Sequence, residues 1–132
     1  GNNRTHMIRV PDKGRFELRL MDGAVNPYLL QAGVIAAGLH GMNNNINPGK
    51  PLSCNMYTDY KNYPDLKKLP NTIEDALNQL ENSKEIRKAF GDDTINSYLK
   101  LKKSEIENFY QEEKFDKKTA VTNWEKNSTL DC

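Results

Sequence analysis

Asn3-Arg4-Thr5-His6-Met7-Ile8-Arg9-Val10-Pro11-Asp12-Lys13-Gly14-Arg15-Phe16-Glu17-Leu18-Arg19 reads as a short loop feeding a strand with a charged face. In a β-strand successive side chains point to opposite faces. Phe16, Leu18 and Leu20 therefore share one face, and Arg15, Glu17 and Arg19 share the other. The apolar face requires a core to cover it. The charged face carries cation, anion, cation, with Arg4 and Arg9 just upstream.

The placement of arginine sharpens this reading. Four of the five arginines in the chain are Arg4, Arg9, Arg15 and Arg19, whereas of its fourteen lysines only Lys13 falls in the same region. Arginine presents a planar fork that matches carboxylates and phosphates. A block that selects arginine four times, in a chain that otherwise selects lysine, suits the holding of anions. A solvated strand face with a cross-strand ion pair accounts for the same residues, since charged strand faces are common.

Outward from this stretch, residues 1–14 read as loop. Pro11 pushes Val10 toward an extended conformation, and Asp12-Lys13-Gly14 is a turn signal. The strand covers residues 15–20, and Asp22-Gly23 breaks it. Asn26-Pro27 then starts a helix, with asparagine as N-cap and proline at the first helical position. That helix runs to about Met42, and its apolar and small residues nearly encircle it, which predicts burial on most sides. Gly33 and Gly38 would allow another backbone to approach. A membrane-style packing motif is the rival, but the apolar run from Tyr28 to Leu39 is too short to span a bilayer.

Residues 43–71 read as a long irregular region rich in Asn, Pro and Gly, either a surface tie with its tyrosines tucked onto the core or a functional loop. Thr72-Ile73-Glu74-Asp75 caps a helix whose stripe is Ile73, Ala76, Leu77 and Leu80. Ser83 caps a short helix to Phe90, stopped by Gly91. Asp92 or Asp93 caps the longest helix, to about Glu112, with Ile95, Tyr98, Leu99, Ile106, Phe109 and Tyr110 along one face. Its lysines and glutamates read as a solvated surface. The tail from Phe115 to Cys132 reads as extended or irregular, with Trp124 as its anchor.

Composition sets outer limits. A length of 132 residues suggests one compact unit, and a net charge of +1 gives no bulk case for nucleic acid or an anionic membrane. Charged residues make up 28% and the mean hydropathy is −0.83, a wet balance for a self-sufficient domain. The chain opens on Gly1 with a site-like motif almost at once, so it is read as a fragment. Cys54 and Cys132 make no disulfide framework and read as reduced thiols of a cytosolic protein. His6 and His40 alone make no zinc constellation. Any metal would be a hard cation on carboxylate, phosphate and water, and Glu17, between Arg15 and Arg19, is the candidate.

Three segments, NRTHMIRVP, RFELR and the helix start DGAVNPYL, carry a resemblance to the C-terminal part of glutamine synthetase, in order and at familiar spacing. The likeness extends more faintly through the remaining residues. It implies an α+β fragment, mostly helical, in which one active-site strand is followed by a buried helix, a long loop and several amphipathic helices. Residues 1–132 would be the C-terminal fragment of a catalytic domain, with 1–20 as active-site loop and strand and 26–132 as helical remainder and tail.

The resemblance also implies a function: ATP-dependent ligation of ammonia to the γ-carboxylate of glutamate through γ-glutamyl phosphate, giving glutamine for nitrogen metabolism. Glu17 matches the metal-binding glutamate, for Mg²⁺ or Mn²⁺. Arg19 matches the catalytic arginine that contacts substrate glutamate and the transferring phosphate. Arg4 and Arg9 match arginines on the ATP-phosphate side, and Arg15 shares that role more weakly. Lys13 stands one place from the position of a nucleotide-contacting lysine and is a possible contributor only. Gly23 replaces a proline common in the family, which should loosen that turn. Tyr57 resembles a tyrosine adenylylated in some bacterial members, but the following Thr58-Asp59 departs from their pattern and no modification is expected. The resemblance implies a cytoplasmic, ring-type homo-oligomer without nucleic acid or membrane partners, and an inactive isolated fragment because the remaining catalytic groups lie elsewhere. The tail WEKNSTLDC is unlike that of the best-known bacterial type, so the mode of assembly stays open.

Three other readings stay open. The amine could be methylamine or a polyamine, making the enzyme a γ-glutamyl-amine ligase. The chain could belong to a non-catalytic relative, although the charged strand residues are all present. It could also be a standalone helical interaction module whose arginines bind an acidic partner.

Overall fold

The computed structural model describes residues 3–112 and 121–129. The elements, in order, are strands β1 (Ile8–Asp12) and β2 (Arg15–Leu18), then helices α1 (Pro27–Asn43), α2 (Met56–Asp59), a 3₁₀ turn (Tyr60–Asn62), α3 (Ile73–Asn82), α4 (Lys84–Phe90), α5 (Asp92–Glu112) and α6 (Asn123–Thr129). This is a mostly helical α+β architecture with a two-stranded sheet. Length alone suggests one unit, but residues 1–25 with 47–69 form one compact group and residues 26–46 with 70–132 form another.

In the first group the two strands pair antiparallel as a hairpin. The turn between Asp12 and Arg15 places Gly14 at φ +78°, a conformation that glycine adopts without steric cost. β1 corrects the expectation of loop throughout residues 1–14. Pro11 falls where the register slips between Arg9 and Asp12, so that β1 carries one residue more than β2. A bulge on a two-stranded ribbon leaves room for a residue with no N–H to donate. β2 ends at Leu18, although the Arg19 amide still donates to the Met7 carbonyl at 2.9 Å. Phe16, expected on a covered face, is exposed.

The long segment that follows α1 in sequence is not wholly irregular. Asn55 caps α2, its side chain accepting from the Tyr57 amide, and the 3₁₀ turn follows directly. Tyr57 and Tyr60 are exposed rather than tucked away, and Tyr63 is half-buried.

The second group is helical. Asn26 caps α1 as its sequence predicts, its side chain accepting from the amides of Tyr28 and Leu29 at 3.0 and 3.1 Å. α1 packs chiefly against α4. It has no buried residue, which corrects the expectation of burial on most sides: Tyr28 is 82% exposed and Ile35 61%. A helix apolar around its circumference needs neighbours on every side, and α4 covers one. A side chain added at Gly33 or Gly38 would meet nothing within 4 Å, so neither glycine admits a close neighbour here.

The core lies among α3, α4 and α5. Leu77, Ile95 and Leu99 are buried, and Leu80, Ile86, Phe90, Tyr98 and Ile106 pack around them. Thr72 and Ser83 cap α3 and α4 through their hydroxyls, and Gly91 ends α4 at φ +83°. Arg87, the arginine outside the N-terminal block, staples the three helices together. Its Nε donates to the Glu81 carbonyl at 2.7 Å, and its Nη1 donates to Asp92 and Asn96 at 2.8 and 3.0 Å.

The tail corrects a further expectation. Instead of an extended segment, residues 123–129 form α6; the remainder, Phe115–Ala120 and Leu130–Cys132, lies outside the described residues. The start of α6 is a capping box: the Thr122 amide donates to Glu125 at 2.7 Å, and the Glu125 amide donates back to the Thr122 hydroxyl at 3.1 Å. Trp124 does anchor the tail, edge-on to Phe109 with ring centres 5.5 Å apart.

Candidate active site

The register of the hairpin assembles the charged residues. Arg15, Glu17 and Arg19 alternate along one strand and so share a face. Arg9 lies directly across the ladder from Glu17, and cross-strand partners project to the same side. One face of the hairpin thus gathers three guanidinium groups around one carboxylate.

The pairings are unequal. Arg9 Nη1 donates to both oxygens of Glu17 at 2.8 Å. Arg15 Nη2 stands 3.4 Å from Glu17 Oε1, and Arg19 Nη1 stands 3.8 Å from Oε2. Arg9 is also the most enclosed of the three, its side chain 12% exposed against 61% for Arg15 and 36% for Arg19. Arg9 is therefore committed to Glu17, whereas Arg15 and Arg19 reach past it toward solvent. Glu17, Leu18, Arg19 and Met21 line an open cleft beside the cluster.

The electrostatics follow from this arrangement. The hydrogen bond from Arg9 is the main influence holding the Glu17 carboxyl below its ordinary range. Partial desolvation opposes it, and the charges of Arg9, Arg15 and Arg19 add to the lowering. Three guanidinium groups and one carboxylate leave the face with a net charge of +2. Such a face attracts a polyanion and repels a bare cation.

Two residues singled out in the sequence stand apart from the cluster. Arg4 is exposed and takes no part in the Glu17 contacts, and Lys13 is exposed at the hairpin tip. The neighbours of Arg4 are well held, however. Asn3 Nδ2 donates to the carbonyl of Cys54 at 2.7 Å, and Asn3 Oδ1 accepts from the amide and hydroxyl of Thr5 at 3.0 and 2.7 Å. The Thr5 hydroxyl oxygen in turn accepts from the Met56 amide at 2.9 Å, and His6 Nε2 lies 3.1 Å from the Cys54 carbonyl. The loop bearing Arg4 is sewn to residues 53–56 on both sides of that arginine. Reading for charge missed Asn3 and Thr5. Their signal was the Asn-x-Thr spacing, which favours local side-chain to backbone bonds.

Among the described residues no three His, Cys, Asp or Glu side chains gather as a metal cage. Glu17 offers one hard oxygen donor. Mg²⁺ is commonly held by one or two carboxylates, with phosphate and water completing its shell. A carboxylate framed by guanidinium groups fits a cation that arrives with phosphate, since the phosphate offsets the positive face.

Residues 1–128 match the family described as glutamine synthetase, catalytic domain. This chain belongs to the glutamine synthetase family. It is 47% identical to a glutamine synthetase of Rhizobium meliloti over 131 residues, covering 99% of this chain and 28% of that protein. It is 40% identical to a glutamate–methylamine ligase of Methyloversatilis universalis, again over 99% of this chain and 28% of the relative. Among solved structures, an ADP complex of GmaS superposes with a TM-score of 0.79 at 39% identity, covering all of this chain and 28% of that one. The chain thus spans little more than a quarter of the length of the relatives it matches. The family resemblance carried by NRTHMIRVP and RFELR is sound, and the family includes ligases that differ in the amine they use.

Proposed function

We propose that this chain is the C-terminal part of the catalytic domain of an ATP-dependent glutamate ligase that uses ammonia and forms glutamine. The observation that carries the reading is the convergence of Arg9, Arg15 and Arg19 on Glu17. In this reaction the γ-carboxylate of glutamate attacks the terminal phosphate of ATP, giving γ-glutamyl phosphate and ADP, and ammonia then displaces the phosphate. Two anionic substrates and a transferring phosphoryl group must share one pocket, which demands fixed cations placed before the reaction begins.

Each residue has a part in this reading. Arg19, which lines the cleft and stands farthest of the three arginines from Glu17, contacts the glutamate substrate and the transferring phosphoryl group, and it spreads the charge that builds there. Arg15, Arg9 and Arg4 serve the nucleotide phosphates, Arg4 from a loop held by Asn3 and Thr5. Glu17 supplies one oxygen to Mg²⁺ or Mn²⁺; when bound, that cation neutralises phosphate charge. Residues 1–20 make the active-site loop and strand, and residues 26–132 the helical remainder. The longer protein is a cytoplasmic ring-type homo-oligomer, and the isolated chain is inactive.

Higher identity to the Rhizobium glutamine synthetase than to the methylamine ligase supports ammonia as the amine. A γ-glutamyl-amine ligase is the second reading, favoured by the GmaS likeness. The test is phosphate release from ATP by the longer protein, with Mg²⁺ and glutamate, in parallel with ammonium or methylamine. Release dependent on ammonium supports the first reading, and preference for methylamine supports the second. No release with either amine from a folded protein overturns both.

A further inference from the structure

Arg4 is exposed, yet it stands between two half-buried residues, Asn3 and Thr5, whose side-chain polar groups are engaged. Asn3 Nδ2 donates to the Cys54 carbonyl at 2.7 Å, and Asn3 Oδ1 accepts from the Thr5 amide and hydroxyl. The Thr5 hydroxyl thus gives its single proton to Asn3, while its oxygen accepts from the Met56 amide at 2.9 Å. Met56 opens α2, so its amide has no partner within that helix. Thr5 therefore closes a helix end 51 residues away in sequence. The network admits few substitutes. Asn3 must both donate and accept, and the side chain at position 5 must do both through one atom. Serine meets that demand; valine, of nearly the same shape as threonine, does not.

We infer that Thr5, together with Asn3, is a positioning residue for Arg4. By tying the residues on either side of Arg4 to Cys54 and Met56, the pair fixes the backbone from which the guanidinium reaches nucleotide phosphate. A long side chain is aimed only as well as the backbone beneath it is held, and supporting hydrogen bonds supply that hold. Without the tie, the loop would have to be ordered each time nucleotide binds, and that ordering weakens binding. Neither Asn3 nor Thr5 touches nucleotide in this account; both act through Arg4. Their influence on nucleotide binding therefore exists only while Arg4 is present. The inference rests on the nucleotide-phosphate role proposed for Arg4.

The test is a double-mutant cycle on ADP binding to the longer protein, measured by calorimetry in the presence of Mg²⁺. Arg4→Gln should weaken ADP by about tenfold or more, the scale of a lost hydrogen bond to a charged group. Thr5→Val should weaken it by about fivefold, the scale of one ordinary hydrogen bond. Thr5→Ser should bind nearly as tightly as the unsubstituted protein. The cycle closes on Thr5→Val combined with Arg4→Gln, which should bind ADP as Arg4→Gln alone does. Asn3→Ala cuts the same tie at its other end; it should behave like Thr5→Val and carries the test should Thr5→Val not fold. Losses that multiply in the double variant would show Thr5 acting independently of Arg4 and overturn the inference. Unchanged ADP affinity in Thr5→Val, or Thr5→Ser as weak as Thr5→Val, would overturn it equally. If Arg4→Gln binds ADP normally, the nucleotide role of Arg4 fails, and the positioning with it. If the cycle closes as expected but no amine-dependent phosphate release appears, the positioning stands and the ligase reading falls.

Discussion

The hairpin region and the helical region are held by different forces. Leu77, Ile95 and Leu99 give the helical region a small apolar core. In residues 3–25 and 47–69 no described residue is buried, and order comes from strand pairing, the Arg9–Glu17 bond and the Asn3 and Thr5 bonds to residues 53–56. Apolar burial is non-directional and tolerates shifts of side chain, whereas hydrogen bonds fix angles. If the proposed role of the arginines holds, a region that aims guanidinium groups at phosphate needs the second kind of order. A region that only supports it can rely on the first. The exposed faces of Phe16 and α1 are apolar surface that this stretch of chain leaves uncovered.

Substitutions in the two regions should therefore separate activity from stability. The largest effect is expected from Arg19→Gln in the longer protein. Turnover should fall by about 10²–10³-fold, the scale of losing one preorganised charge-stabilising donor, with the thermal midpoint unmoved. Near-normal turnover would end the assignment of Arg19. The counterpart in the helical region is Leu99→Ala, which should cost about 2–5 kcal/mol in denaturant unfolding and leave the activity of the folded fraction intact. A loss confined to activity would reverse the comparison.

Next in size is Glu17→Gln. The Mg²⁺ concentration needed for half-maximal activity should rise by about tenfold or more, since even outer-shell changes alter metal affinity on that scale. An unchanged Mg²⁺ requirement would leave the carboxylate a structural partner of the arginines.

The smallest effects sharpen the comparison at the cap of α6. Thr122→Ala should cost about 1 kcal/mol of stability, measured by denaturant unfolding, and nothing in turnover. The Glu125 carboxyl is held below its ordinary range, first by the Thr122 amide and then by the Thr122 hydroxyl. A carboxylate with a depressed folded pKa contributes stability above its unfolded pKa and loses it as pH falls through the folded value. Glu125→Gln should accordingly lower stability at neutral pH, leave the acid extreme little changed, and so flatten the loss of stability on acidification. An acid limb of the same slope in both proteins would show that the cap does not titrate with folding.

Much of the fold could be read from short-range rules. Asn26-Pro27, Thr72, Ser83 and Gly91 mark helix ends because capping bonds reach only two or three residues. The stripe through Ile95 and Leu99 marks a buried face because the helical period repeats within one turn. The same rules offered Thr122-Asn123-Trp124-Glu125 as a capping box, and reading the tail by its polarity alone passed over it. Pro11 pointed to extended backbone at Val10, but that local preference names no partner, and β1 exists only through its register with β2.

The candidate site divides along the same line. By itself the sequence determined that Arg15, Glu17 and Arg19 share a face, since strand alternation is a property of neighbouring residues. It also carried the family motifs. Only the tertiary structure placed Arg9 across from Glu17, because pairing register depends on a turn and a one-residue bulge rather than on any local period. Only the tertiary structure brought Asn3 and Thr5 to Cys54 and Met56, about fifty residues away, and left Arg4 outside the cluster. Local propensities repeat within a turn or a pleat and are therefore written in the chain. Contacts between distant segments depend on how those segments meet, and that is settled only when they pack.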